Sequence, residues 1–476
     1  MKIVMFSMTP LFPDQAMGGA QKQLKRIALH LARLGHEVTV LATRRKDTNT
    51  AFEWGEGVQV VPIFRFKQPY PEPYATPIYN ISSAIQDLGD YLHNADRFYL
   101  HDGGFMFPYV YRDVPTVVSY RSVIFSETLQ SAYLFRGDYL VLISEHQAAC
   151  FQNTVGRFFP DYRDRLRLIH NGFDWNFFKP TPPEGILKHI PGLNPDDDLV
   201  LYPHRPEAPK GIQGTIDLVH RLVHRHGMTR VKALVPMWID VKLAPDVWAF
   251  YDDLQRQLEK RGIKDNFIFH DWVPEDLMAE YYSLGRVTLC LGSYVETFGN
   301  VAYESLGCGT PAIVARVGPN RDLLPGGMVD QVDFGDIEAA AEIARGIIAQ
   351  KRRTPPATLD YLHEGFSLDR MVDAYADAIL NAECREDLKY QYVPMDDTTT
   401  FVLAPWCYIS SRGIYHDFLA AYRTSQTLMA LVKEYRGGFT FADAKALGVE
   451  QDEVTNWYRD GYLVPRLPWT DLSFRM

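Results

Sequence analysis

Short apolar runs alternate with segments of helical periodicity along most of this chain, and the alternation occurs twice, in two series split by a proline-rich stretch. Strands that alternate with helices build a parallel sheet covered on both faces, so two such series predict two α/β domains. The first opens at Lys2 to Ser7, continues through the loop MTPLFPDQAMGGA, and then carries Leu24, Ile27, Ala28, Leu31 and Leu34 at helical spacing. Gly35 stands where a helix C-cap would, and Glu37 to Ala42 is β-branched and apolar. Similar runs follow at Val58 to Phe64, PTVVSY and DYLVLIS, with a helical stretch near Ala84 to His93. The second series starts after PTPPEGILKHIPGLNPDDD with LVLYPHR, then KALVPMW, NFIFHDW, VTLCLGS and TPAIVAR.

The break near residues 180–197 reads as a linker. Past residue 355 the alternation stops; Arg370 to Ala382 has helical periodicity and is expected to pack back across the two domains. From Glu386 onward the composition changes. QTLMALVKEYRGGFTFADAKALGVEQDEVTNWYRDGYLVPR reads helix, turn, helix, turn, helix, short strand, the outline of a winged-helix-like module. The expected domains are therefore residues 1–180, 181–385 with the return helix, and 386–476, the last small and mostly helical. A nucleic-acid reader needs a basic face, yet Glu386 to Met476 holds nine Lys and Arg against twelve Asp and Glu. Protein contact or simple packing is the expected role of that tail, and nucleic acid is not an expected partner.

The 476 residues leave room for about three domains, and 46% hydrophobic with 23% charged residues is the balance of a folded globular chain. A formal net charge of -10 opposes delocalised attraction to nucleic acid or anionic lipid, while a local basic cleft stays open. Five cysteines, odd in number, widely spaced and without a C-x-x-C pair, indicate neither a disulfide framework nor a structural zinc site and fit a reducing, cytoplasmic setting. MKIVMFSMTP reads as a first strand and not as a leader, and no apolar run approaches about 18 residues, so at most peripheral contact with the inner face of a membrane is expected.

The segment GSYVETFGNVAYESLGCGTPAIVARVGPNRDLL predicts a strand end, a turn at Thr297 to Gly299, a helix through Asn300 to Leu306 stopped by Gly307 and Gly309, and a new strand from Pro311. It therefore sets a helix N-terminus at the carboxyl edge of a sheet. Free N–H groups and the helix dipole meet there, Gly299 permits close approach, and a phosphate is the natural guest. Glu296 and Glu304 can face one crevice and accept hydrogen bonds from sugar and ribose hydroxyls. Taken alone, two glutamates at either end of a helix are ordinary surface charges. YPHRPEAPKGIQG adds Arg205 and Lys210 in the loop after the first strand of the second series, where two cations could hold a diphosphate and stabilise its departure.

Together, MGGAQKQLKRIALHLARLGHEVTVLA, LIHNGFDWNFFKP, HRPEAPKG and ETFGNVAYESLGCGTPAIVARVG resemble the retaining glycosyltransferases of family 4, with the GT-B fold, in order over about residues 1–380. The resemblance implies two Rossmann-like domains facing across a cleft, the first for the acceptor and the second for a nucleotide-sugar. It implies that Arg205 and Lys210 grip the donor diphosphate, that Glu304 holds the ribose and that Glu296 stands at the donor sugar. Phe298, Gly299 and Asn300 match the loop whose backbone meets sugar and diphosphate, and Gly18 and Gly19 match the glycine turn of the first domain. The implied reaction moves a sugar from a UDP- or GDP-sugar to a hydroxyl of a glycan, lipid-linked or small-molecule acceptor, with retention and with no cofactor and no metal. Asn171, Gly172 and Asp174 resemble a domain-junction signature with a structural duty.

The pattern departs at one place. Many family members carry a histidine after the strand PTVVSY, and here Arg121 takes that position, a permanent cation that could favour an anionic acceptor or donor sugar or signal loss of activity. His101, at the end of the run FYLH, is a second candidate near the substrates. FRFKQPYPEPYATPIYN, residues 64–80, reads as an acceptor lip or as a packed surface crossing. A catalytically inactive sugar-nucleotide-binding or adaptor protein, acting through its winged-helix-like tail, is the alternative function.

Overall fold

The computed structural model describes residues 1–476 except 15–17, 67–77, 106, 195, 206, 238–245, 323 and 468–476. The chain divides into two units, Met1–His170 with Val372–Met476, and Asn171–Met371.

In the first unit, β1 (Lys2–Ser7), β2 (Glu37–Thr43), β3 (Phe52–Gly55), β4 (Val58–Phe64), β5 (Arg97–His101), β6 (Thr116–Ser119), β7 (Tyr139–Leu142) and β8 (Leu166–Leu168) form one sheet. Its order is β3-β4-β2-β1-β5-β6-β7-β8, and every pair is parallel except the edge pair β3 with β4. Only Lys2 of β1 is exposed and all of β6 is buried, as strands covered on both faces require. Helix Gly19–Arg33 buries Leu24, Ile27, Ala28 and Leu31, and Gly35 at φ 87° ends it as expected. Leu34, expected on that stripe, is the C-cap and lies exposed. The short edge strands β3 and β8 carry too few residues to show a period.

The second unit holds β9 (Asp198–Leu201), β10 (Val231–Pro236), β11 (Phe267–His270), β12 (Val287–Cys290), β13 (Ala312–Ala315) and β14 (Asp330–Val332). They pair in parallel in the order β11-β10-β9-β12-β13-β14. Counted from the first strand this is 3-2-1-4-5-6, the doubly wound order of a dinucleotide-binding sheet. Helix Ile212–His224 and helix Ile337–Gln350 cover one core, with Ile216, Val219, Leu222, Ala340, Ala344 and Ile347 all buried.

The return helix spans Leu368–Leu380, two residues earlier than expected, and the chain passes from the second unit to the first within it. Beyond it the order helix, helix, helix, strand appears as Gln426–Glu434, Phe441–Ala446, Gln451–Arg459 and Leu463–Pro465. The tail is not mostly helical, however. β15 (Phe401–Leu403) pairs with β19 (Leu463–Pro465), and β16 (Cys407–Ser410), β17 (Gly413–His416) and β18 (Ala421–Arg423) form an antiparallel meander. Strands of three or four residues leave almost no alternation to read. The tail core around Phe401, Leu428, Phe439, Val454 and Trp457 also takes in Cys150, on helix Glu145–Phe151. Gln391 donates its backbone N–H to the Phe158 carbonyl at 2.8 Å, so the tail shares its packing with the first unit. Among the described residues no helix is long and apolar enough to cross a membrane.

Candidate functional site

In the second unit β9 pairs with β10 on one side and β12 on the other. The strand order reverses there, and the loops leaving β9 and β12 at their carboxyl ends open the crevice that such sheets offer to ligands. Three ties hold the two loops together. The buried His204 donates Nε2–H to the Leu289 carbonyl at 2.9 Å. Tyr294 donates its backbone N–H to the Pro209 carbonyl at 3.0 Å. Gly211, at φ 96°, and Gly292 let the backbones cross: a Cβ on Gly292 would stand 2.2 Å from the Pro209 oxygen, and one on Gly211 2.5 Å from the Gly292 nitrogen.

These ties deliver Lys210 to Glu296. Lys210 is 9% exposed, its Nζ lies 2.7 Å from Glu296 Oε1, and the ammonium sits 3.5 Å from the Tyr294 ring centroid. Glu296 keeps 31% of its side chain exposed. Arg205, in the same loop, meets Glu207 at 3.2 Å with both side chains partly open to solvent. Cys290, the last residue of β12, is pushed up to about 12 by burial and by the Glu296 carboxylate, so its thiol stays protonated.

Helix Asn300–Gly307 follows with Gly299 at φ 90° as its N-cap, no side-chain cap and no acid in its first turn. A Cβ on Gly299 would come within 2.9 Å of Asn320 Oδ1. The Phe298 side chain is buried among Tyr303, Phe366 and Phe173, with Tyr303 stacked on Phe173 at 5.5 Å. Phe298 thus anchors the loop through its ring. Asn300 Oδ1 accepts from Asn171 Nδ2 at 2.9 Å, and Glu304 accepts from the buried Tyr282 hydroxyl at 2.9 Å. The second unit therefore gathers Arg205, Lys210, Glu296, the 298–300 turn and Glu304 around one sheet edge.

In the first unit β1 lies between β2 and β5, so the strand order reverses there as well. Gly18, extended at φ -177°, is the N-cap of helix Gly19–Arg33, which has no acid in its first turn. His101, at the end of β5, is wholly buried. Its Nε2–H donates to the Ala20 carbonyl at 2.8 Å and its Nδ1 accepts from the Tyr99 hydroxyl at 2.7 Å. Burial and the charge of Arg121 hold the imidazole well below its usual range, so it is neutral. Arg121, 7% exposed, donates to the Tyr375 hydroxyl at 2.9 Å, which also meets Ser119 Oγ at 3.1 Å. Of the lip at residues 64–80, positions 67–77 lie outside the described residues.

Residues 17–177 match Glycosyltransferase Family 4, and residues 185–349 match Glycosyl transferases group 1. The chain thus carries a Glycosyltransferase Family 4 domain and a Glycosyl transferases group 1 domain. It is 24% identical over 343 residues to an uncharacterized glycosyltransferase of Methanocaldococcus jannaschii, covering 68% of this chain and 83% of that one. It is 28% identical over 235 residues to the D-inositol 3-phosphate glycosyltransferase of Acidothermus cellulolyticus, which is 45% of this chain and about half, 49%, of that relative. Sucrose-phosphate synthase from Thermosynechococcus elongatus superimposes with a TM-score of 0.64 at 18% identity, over 79% of this chain and 97% of that one. Anabaena HepE, solved with UDP and glucose, gives 0.61 at 18% identity over 79% and 98%. These likenesses show the GT-B fold, two Rossmann-like α/β domains, and the two family models end at residue 349, before the tail.

Within the group 1 domain, sequence reasoning passed over His204, Gly211, Gly292, Tyr294 and Tyr282. His204 adjoins Arg205 in the quoted motif, and Gly211 follows Lys210 directly, so position alone could have flagged both. His204 also sets a pH dependence. Burial, with the charge of Lys210, lowers it to about 4, and burial lowers His270 to about 4. Their folded values lie below the unfolded value of about 6.5, so the unfolded chain binds protons first as pH falls. The stabilisation is complete above about pH 6.5 and is lost on the way down to about pH 4, at roughly 3 kcal/mol for each imidazole. The urea midpoint of the second unit is expected to fall across that window, and less steeply in His204→Gln. An identical slope in the variant would contradict this assignment.

Proposed function

We propose that the chain is a retaining glycosyltransferase that moves a sugar from a UDP- or GDP-sugar to a hydroxyl of a glycan, glycolipid or small-molecule acceptor. The reading is carried by the Lys210–Glu296 contact at 2.7 Å, at the point where a 3-2-1-4-5-6 sheet reverses its order and beside a helix whose N-terminus has neither a side-chain cap nor an acid. Such a place favours a diphosphate. HepE, which shares the fold, binds UDP and glucose, and this lends support to a nucleotide-sugar donor.

The anomeric carbon–oxygen bond to the diphosphate breaks, and Lys210, Arg205 and the N–H groups of helix Asn300–Gly307 stabilise the charge left on the phosphate oxygen. Lys210 has three N–H donors. With one on Glu296, two can turn to phosphate. The acceptor oxygen bonds to the same face of the anomeric carbon, and its proton passes to the departing diphosphate oxygen. Glu304, set by Tyr282, accepts from the ribose hydroxyls, and Glu296 reaches the donor sugar. In this reading the two cations supply the charge that a divalent ion would otherwise bring. The tail, three helices with five short strands and more acid than base, is read as a winged-helix-like module for protein contact, and the cytoplasm is the proposed place of action. The test is proton NMR of the glycoside formed from a donor of known configuration. Retained anomeric configuration is expected, and an inverted product would overturn the retaining mechanism.

A further inference from the structure

We propose that Arg121 is an anion receptor of the first unit, taking a carboxylate, sulfonate or phosphate carried by one of the two sugar substrates; the proposal rests on the glycosyl-transfer reading and narrows its substrate class. A guanidinium buried to 7% exposure normally finds a carboxylate, since its lost hydration is otherwise uncompensated. Among the described residues Arg121 has one hydrogen bond, to the neutral Tyr375 hydroxyl. Arg165, equally buried, instead donates to the carbonyls of Gly137 and Glu386 and lies within the field of Asp138 and Asp161.

Among the described residues, the groups against Arg121 are neutral. Arg121 follows β6 by two residues, at the carboxyl edge of the sheet. Its neighbours there are Ser119, Tyr99 and Tyr375, all neutral hydroxyls, and His101, whose two nitrogens are both engaged. Through Ala20, His101 touches the first turn of helix Gly19–Arg33, a positive dipole end without an acidic residue. A fixed cation and a helix N-terminus thus share one edge. The planar guanidinium has further N–H groups, suited to the two oxygens of a carboxylate, sulfonate or phosphate.

The test is calorimetry on the full chain with two matched pairs, UDP-glucuronate against UDP-glucose, and glucose 6-phosphate against glucose with UDP present. The wild type is expected to bind the anionic member of at least one pair about tenfold more tightly, and Arg121→Gln to abolish that preference. Preference within the nucleotide pair assigns the anion to the donor, and preference within the free-sugar pair assigns it to the acceptor. No preference in the wild type, or the same preference in Arg121→Gln, would overturn the proposal. If Arg121→Gln melts early, Arg121→Lys serves instead. It keeps a point charge without the planar edge, so the preference should drop severalfold, and an unchanged preference counts against the assignment. UDP affinity, whose proposed ligands belong to the other unit, is read in parallel. Its absence from the wild type would remove the glycosyl-transfer reading and leave the anion site to be judged on the free-sugar pair.

Discussion

Lys210→Met is expected to lower kcat by about 10²–10³-fold, the loss typical of removing one preorganised donor from a developing oxyanion. Methionine keeps an unbranched stem and removes the ammonium, with its charge and its three N–H donors. In the wild type that charge is held ready: Glu296 and the face of Tyr294 fix the ammonium, so little reorganisation is left for the moment of bond breaking. The partner left behind, Glu296, is 31% exposed and can be rehydrated, so the melting temperature should change little. Steady-state turnover with the donor identified by binding, run beside a melting curve, checks both halves. A variant that turns over within threefold of wild type would remove Lys210 from the chemistry. One that loses activity only by unfolding would make it structural.

Gly292→Ala is expected to act on fold and site at once. The new methyl would stand 2.2 Å from the Pro209 carbonyl oxygen and 2.6 Å from the Lys210 carbonyl carbon, both backbone atoms. No rotamer relieves such a contact, so the loop after β9 must move, and the positions of Lys210 and Arg205 move with it. Overpacking of this kind costs about 3 kcal/mol, which in a unit of this size lowers the melting midpoint by roughly 6–12 °C. Activity should fall further than in an alanine variant of Gly326, where an added Cβ meets nothing within 4 Å. A Gly292→Ala protein with wild-type midpoint and turnover would show that the crossing of the two loops is not needed.

Both predictions turn on a feature that lay half in view. The loops themselves were legible, because each follows an apolar run and one opens a helix after a glycine. HRPEAPKG and ETFGNVAYESLG therefore fall at strand ends in the fold as they do in the reading. That they touch was not legible, because Gly211 and Gly292 are far apart in the chain and a glycine's value in a backbone crossing depends on what crosses it. Tyr375 behaves the same way: its place on the return helix follows from periodicity, but its hydroxyl meets Arg121 and Ser119 only through packing. His101 stands at a strand end, where a catalytic and a buried histidine look alike, and only the geometry shows that both its nitrogens are spent on Ala20 and Tyr99. In the tail the order of the three helices was legible, and the structure caps two of them with Ser425 and Thr440. The meander β16–β18 was not legible, since each strand is too short for alternation to stand out.

The central claim is that Arg205, Lys210 and Glu304 hold a nucleoside diphosphate at the edge of the second sheet. A thermal-shift panel with UDP, GDP, ADP and dTDP tests it most directly, with Arg205→Ala and Glu304→Ala run beside the wild type. A ligand at about one hundred times its dissociation constant adds about 2.7 kcal/mol, enough to raise the midpoint by several degrees. The account predicts such a shift with UDP or GDP in the wild type and its loss in both variants. No shift with any of the four, or a shift that survives both substitutions, would contradict it.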